Sequence, residues 1–183
     1  MQFYLNGYQT GDPEIAPADS TNVWSPELPE QVDVLIAGSG PAGVMIAAQL
    51  STEPSITTRV IERRKGPLEI GQADGIAARS VELFDTFGIA DKLVREAYWV
   101  NETVFWRPSP TDRHSIVRTG RIQDTADDLS EFPHVIVNQA RLQQYFLDYM
   151  KESTTKLEPD YGYEIVGVEV AENLRHLGLE VTL

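Results

Sequence analysis

Cysteine is missing from all 183 residues. Its absence excludes disulfides, thiolate metal sites and a cysteine nucleophile together, and it fits a reducing cytoplasm. Positive charge is scarce: 15 Lys and Arg stand against 28 Asp and Glu, for a formal net charge of −13. Such a surface repels phosphate backbones and anionic lipids, so neither nucleic acid nor a membrane surface is an expected partner. Long apolar runs are missing too, and none reaches membrane-spanning length. The opening "MQFYLNGYQTGDPE" lacks a basic segment followed by an apolar one, so no secretion signal is expected and the localisation expected is cytoplasmic. The acidic stretch "DTADDLSE", 124–131, has the composition of metal ligands but no regular spacing; a solvated loop is the expectation, and no metal site. What is present is a 42% hydrophobic content, enough for a globular chain with a real core.

The chain falls into readable segments. Residues 9–31 hold four prolines and almost no periodicity, which predicts an extended leader on the surface. "VDVLIAG", 32–38, reads as a buried parallel strand. "PAGVMIAAQLS", 41–51, reads as a helix with Pro41 in its first turn, and "TRVIE", 58–62, as the next strand. This order predicts a parallel sheet with a crossover helix. Ser80 is the expected cap of a helix over 80–88, with Leu83, Phe84 and Phe87 on its apolar face and Gly88 at its end. A short helix is expected over 89–97. "TVFWRP", "HSIVRTG" and "HVIVN" read as antiparallel strands. Over 139–153, Leu142, Tyr145, Phe146, Tyr149 and Met150 recur at helical spacing. The last 21 residues read as two strands joined by a polar turn. Trp24, Trp99 and Trp106 are expected to pack, and His114 and His176 to face solvent.

The strongest local signal is "GSGPAG", which sets Gly38, Gly40 and Gly43 at G-x-G-x-x-G spacing between a strand and a helix. Gly38 makes the tight turn, Gly40 lets the backbone approach a pyrophosphate, and Gly43 lets the helix pack on the strand. The helix N-terminus then offers free N–H groups to the anion. Glu62 ends the second strand 19 residues past Gly43, where a carboxylate can accept both ribose hydroxyls of an adenosine. A 2′-phosphate would be repelled there, which disfavours NADP and leaves NAD and FAD open. Arg63 either touches the adenosine or, like Arg64, is solvated charge on a turn. In "GQADGIAARS" Asp74 precedes Gly75, a turn signal because glycine takes positive φ at little cost.

"DVLIAGSGPAG" followed by "VIERR" resembles the start of the flavoprotein aromatic hydroxylases, the group A FAD monooxygenases. "GQADGIAARSVELFDTFGIADKL" and "LSEFPHVIVNQARLQQYFLDYM" resemble their phenol 2-monooxygenase branch, and "MQFYLNG" with "EFPHV" the 3-hydroxybenzoate 4-monooxygenases. The resemblance implies an α/β fold: a Rossmann-like, glutathione-reductase-like FAD-binding domain, incomplete, with a small antiparallel β excursion from the substrate domain. In that frame 1–31 is a leader, 32–97 the first part of the FAD-binding domain, 98–137 part of the substrate sheet, and 138–183 the FAD-binding domain continued. Two later FAD motifs of the family are missing from the sequence, so the chain is expected to be an N-terminal portion that is inactive alone.

The resemblance also implies roles. Gly38, Gly40, Pro41, Ala42 and Gly43 would cradle the FAD pyrophosphate, with Glu62 on the ribose. Gln72, Arg79 and Gln139 would reach the cofactor, Asp74 would lie near the flavin ring and the substrate hydroxyl, and His134 would line the substrate pocket. Each has a plainer alternative: Arg79 as exposed charge, Gln139 as a solvated helix start, His134 as an ordinary strand residue, Asp74 as a turn. The implied chemistry is hydroxylation of a phenolic ring by O2 through a flavin C4a-hydroperoxide, with NADPH as transient reductant and Asp74 drawing off the phenol proton. No second glycine fingerprint appears, so no separate NADPH domain is expected. A homodimer of the complete protein is compatible with this frame. The alternative is a non-catalytic FAD- or NAD-binding module or truncated paralogue.

Overall fold

The computed structural model describes residues 25, 27–170 and 179–182. Most of the expected leader, Trp24 and His176 lie outside the described residues. In chain order the elements are β1 (Val34–Ala37), α1 (Pro41–Leu50), β2 (Thr58–Glu62), β3 (Gly75–Ile76), α2 (Ala78–Asp85), α3 (Ala90–Glu96), β4 (Tyr98–Val100), β5 (Glu102–Pro108), β6 (Ile116–Gln123), β7 (His134–Ile136), α4 (Gln139–Glu152), β8 (Pro159–Tyr161), β9 (Gly167–Val170) and β10 (Leu179–Thr182). They fall into two compact units, one formed by Gly71–Asn138 and one by the described residues before and after that stretch in sequence.

The second of these units is built on a parallel sheet in the order β1-β2-β8. All five residues of β2 are buried, as expected of a central strand covered on both faces. Helix α1 begins at Pro41, whose missing N–H is no loss in a first turn. It packs on α4. Val44, Ala47 and Ala48 of α1 are buried, and so are all five apolar residues expected to share a face of α4. Thr155 closes the end of that pair, donating its N–H and its hydroxyl to Ser51 O at 3.1 and 2.9 Å. The two strands expected at the end of the chain form an antiparallel pair, β9 with β10, and the turn between them lies outside the described residues.

Strand β8 carries no strand signature: it is three residues long and reads Pro-Asp-Tyr. Proline is tolerated at the first position of a strand, and Asp160 is accommodated by a partner from β2. Arg59 Nε and Nη2 donate to the two Asp160 oxygens at 2.8 and 2.6 Å, with both residues under 10% exposed. Arg59 Nη1 donates to Ser25 O at 3.0 Å. A two-pronged, buried ion pair thus stands where a hydrophobic pair would be expected.

The unit Gly71–Asn138 holds two separate antiparallel sheets. Strand β7 pairs with both β3 and β4, while β5 and β6 pair with each other, with a bulge at Phe105/Trp106. Helix α2 starts earlier than expected: Ala77 is its cap residue, and Ser80 sits inside it. Leu83 is 44% exposed, and Val81, Phe84 and Phe87 form the buried side instead. Gly88 does end the helix, at φ +67, with its N–H bonded to Asp85 O and that of Ile89 to Phe84 O. Trp99 and Trp106 are 50% and 58% exposed, which corrects the expectation that they pack: both stand on strands with open faces. His114 is exposed as expected.

Replacing Asp160 by Asn leaves the Arg59 charge buried without its counter-ion. Breaking a buried pair in this way costs about 3–5 kcal/mol, so Asp160→Asn should lower the unfolding free energy by an amount of that order and move the urea midpoint down with it. A midpoint within error of the parent protein would show that the pair contributes nothing.

Candidate functional site

The glycine loop follows β1 directly. Gly38 takes φ +97, a conformation that favours glycine, and its N–H donates to Ile61 O at 2.7 Å, which extends the β1–β2 pairing into the turn. At Gly43 a side chain is excluded: an added Cβ would stand 2.0 Å from Gly38 O. The third glycine therefore serves the packing of α1 on the strand end. Gly40 differs, because a Cβ there would meet no protein atom within 4 Å. Nothing in the protein's own packing requires a glycine at 40, whereas a pyrophosphate approaching the backbone would. Pro41, Ala42 and Gly43 form the first turn of α1, with no side-chain cap and no acidic residue, and helix geometry leaves the Ala42 and Gly43 N–H groups without an intrahelical partner. The residues present fit the expected anion.

Glu62, at the end of β2, is 4% exposed. Its Oε2 accepts from Ser39 N–H at 2.9 Å and from the Ser39 hydroxyl at 3.1 Å. Oε1 accepts from Arg64 N–H at 2.9 Å, with the Arg64 guanidinium 3.5 Å away. Burial alone would raise the Glu62 carboxyl, but the Arg64 and Ser39 amides, the Ser39 hydroxyl and the Arg64 charge hold it below the ordinary carboxylate range. A carboxylate offers about four acceptor positions, and three are taken here. The backbone is fixed as well: Glu62 O accepts from Gly162 N–H at 2.7 Å and Tyr163 N–H at 3.1 Å. The site also contains a residue the sequence reading did not single out. Gln143 of α4 is 2% exposed; its Nε2 donates to Ser39 O at 2.6 Å and Ser39 Oγ at 3.2 Å, and its Oε1 accepts from Leu68 N–H at 2.7 Å. Its one sequence signal is a polar residue beside Leu142 on an otherwise apolar helix face. Arg63 is 72% exposed and stands 3.8 Å from Glu164. Gln139 opens α4 and is half-buried.

The remaining candidates belong to Gly71–Asn138. Asp74 is exposed, and its carbonyl accepts from Val137 N–H at 2.9 Å. Gly75 opens β3 opposite Ile136 and is not among the glycines with positive φ. Asp74–Gly75 is thus a strand entrance, which corrects the expected tight turn. The missing side chain matters differently: a Cβ on Gly75 would come 3.3 Å from His134 Nε2, so Asp74 and His134 share one corner of the sheet. His134 is partly buried, and its Nδ1 donates to Asp124 Oδ2 at 2.7 Å. That bond places the Nδ1 proton and turns Nε2 toward Gly75. Asp124, expected in a solvated loop, is instead the orienting partner of His134; a separation of ten positions along the chain hides the pairing from any spacing argument. Arg79 lies inside α2 with its side chain 93% exposed, 3.2 Å from Glu82, and Gln72 is exposed. An open cavity of about 870 Å³ between Trp99, Asp127 and Phe132 includes neither Asp74 nor His134 in its lining. Among the described residues no cluster of His, Asp and Glu has metal-binding geometry.

A model of the FAD binding domain matches residues 31–171. The chain is 48% identical over 184 residues to the 3-hydroxybenzoate 4-monooxygenase of Comamonas testosteroni, covering all of this chain and 29% of that protein. It is 36% identical over 108 residues to the phenol 2-monooxygenase fsqG of Aspergillus fumigatus, covering 59% of this chain and 18% of that one. The flavin-dependent monooxygenase PieE, solved in complex with FAD and substrate, superposes with a TM-score of 0.61 at 25% identity, over 79% of this chain and 26% of its own. The chain thus spans less than a third of the length of each of these proteins.

The lowered pKa of Glu62 gives its contribution to stability a sign that can be tested. A carboxylate whose folded pKa lies below its unfolded one contributes stability above the unfolded value and loses it as pH falls through the folded value. Glu62→Gln should therefore cost most stability near neutral pH, and the gap to the parent protein should close in acid. Urea unfolding from pH 7 down to pH 3 measures it; a gap that stays constant over that range would contradict the assignment.

Proposed function

The chain belongs to the FAD binding domain family and is similar to flavin-dependent aromatic monooxygenases, and from that premise we propose that it forms the adenosine–pyrophosphate part of the FAD site in an NADPH-dependent monooxygenase hydroxylating a phenolic ring, of the phenol or 3-hydroxybenzoate type. The observation that carries the reading is the contrast between the glycines: Gly43 is demanded by packing, whereas Gly40 leaves open space beside the N-terminus of α1. Gly38, Gly40, Pro41, Ala42 and Gly43 would hold the pyrophosphate through backbone N–H groups and the helix dipole. Glu62 Oε1, which only Arg64 engages, would be the oxygen that takes a ribose hydroxyl. Gln72, Arg79 and Gln139 are proposed as further cofactor contacts, with Arg63 at the adenosine. Bound FAD would supply hydride acceptance from NADPH and activation of O2.

On the substrate side, Asp74 is proposed to take the phenol proton. A phenol near pKa 10 is mostly neutral at pH 7, and the phenolate is richer in electrons at its ortho and para carbons. A carboxylate within hydrogen-bond reach makes that form accessible. His134, fixed by Asp124, would supply a polar contact to the substrate from the same corner. The reading is tested on the full-length protein: it should carry bound flavin absorbance and oxidise NADPH faster when a phenolic acid is added. Flavin binding without stimulated oxidation would favour a binding module instead.

Two variants separate the roles. Losing the Glu62 contact should cost about 1.5–3 kcal/mol of FAD affinity, so Glu62→Ala should shift the FAD titration accordingly, and unchanged affinity would remove Glu62 from the site. Asp74→Asn should retain FAD and keep NADPH oxidation measurable, while product formation falls by ~10²–10⁴ and the electrons leave as hydrogen peroxide. The deficit should shrink toward pH 10, where solvent ionises the phenol unaided. Product per NADPH from pH 6 to 10 is the measurement; full coupling across that range would return Asp74 to a purely structural role.

A further inference from the structure

Gln143 is the buried polar residue whose bonds all leave its own helix. Its amide is held by partners that admit one orientation. Leu68 N–H is a donor and must face Oε1, and Ser39 O is an acceptor and must face Nε2. Both amide hydrogens are then spent on Ser39, one on its carbonyl at 2.6 Å and one on its hydroxyl at 3.2 Å. Because the hydroxyl accepts from Gln143, its own proton goes to Glu62 Oε2 at 3.1 Å, beside the Ser39 N–H on the same oxygen at 2.9 Å. A directed chain of bonds therefore runs from α4 through the residue between Gly38 and Gly40 to the carboxylate at the end of β2.

We propose that Gln143 is a positioning residue of the dinucleotide site, which locks the glycine loop and the Glu62 carboxylate in their binding arrangement before the cofactor arrives. The proposal rests on the FAD-binding reading above. Its physical basis is the flexibility of the loop. Two glycines flank Ser39, and glycine loses more backbone freedom on ordering than any other residue. Without an anchor that cost falls on the binding step; with Ser39 clamped on both its carbonyl and its hydroxyl it is met during folding. The clamp engages only Oε2 of Glu62, so that Oε1 is held by Arg64 alone, through its N–H at 2.9 Å with its guanidinium 3.5 Å away.

The test uses the full-length apoprotein, with ADP and FAD as separate probes. Gln143→Glu keeps the volume and the acceptor for Leu68 N–H but has no N–H for Ser39; Gln143→Leu removes both. Each should raise the Kd for ADP by ~10–100-fold and that for FAD by the same factor, because the clamp acts on the half the two ligands share. Ser39→Ala should raise both by a smaller factor, and Gln143→Leu should add less on that background than on the parent, as linked residues do. The double-mutant comparison also decides the matter if Gln143→Glu does not fold. A merely structural role would lower the unfolding midpoint and leave ligand affinity of the folded protein unchanged; that result, or strict additivity with Ser39→Ala, overturns the proposal. A parent protein that binds neither ADP nor FAD overturns the FAD-binding reading itself, and the proposal with it.

Discussion

Glu62 keeps its charge at a position only 4% exposed because donors from two loops close on its oxygens. A buried carboxylate without such partners would be neutralised or would disrupt the strand that carries it. With them, it becomes the point where the sheet, the glycine loop and the turn after β2 are joined. Ser39 is held through its amide and hydroxyl, Arg64 through its amide, and the Glu62 carbonyl takes the turn after β8. Removing the charge would loosen the carboxylate's bonds to Ser39 and Arg64 at once. Cofactor binding, as proposed, uses a group that the apoprotein already needs for its own integrity.

The same economy recurs along β2. Arg59 and Glu62 lie on a fully buried five-residue strand, and each is satisfied by a different neighbour, Asp160 on one side and Ser39 on the other. Buried ion pairs contribute little net stability over an apolar pair of the same shape, but they demand one register. The Arg59–Asp160 bond fixes how β8 aligns on β2, and β8 in turn delivers Gly162 and Tyr163 to the Glu62 carbonyl. Register is thus transmitted from a buried ion pair to the end of the strand where the candidate site lies.

In Gly71–Asn138 the polar groups are arranged differently. Asp74 and His134 sit at the corner where β3 meets β7, and the absent side chain of Gly75 makes room for the imidazole. Asp124 holds the ring from the far end of β6. Exposed Trp106, Phe105 and Ile116 on β5 and β6 show that this hairpin buries little of its own apolar surface within the unit.

What the sequence alone determined is local. Hydrophobic period, glycine spacing and proline position act over a few residues, and so β1, α1, β2 and α4, the glycine loop, Glu62 and the family resemblance were all legible before any coordinates. Tertiary structure decided whatever depends on a partner far along the chain. Strand β8 exists because Arg59 compensates Asp160 about a hundred residues away, and Pro-Asp-Tyr has no strand propensity to announce it. Asp124, just past β6, meets His134 of β7 only through the fold, and Gly75 serves a contact with His134 instead of the turn its sequence suggests. Gln143 acquires its role from two loops brought to it by the fold. Each of these cases turns on a polar side chain and the partner it meets, which no window of neighbouring residues contains.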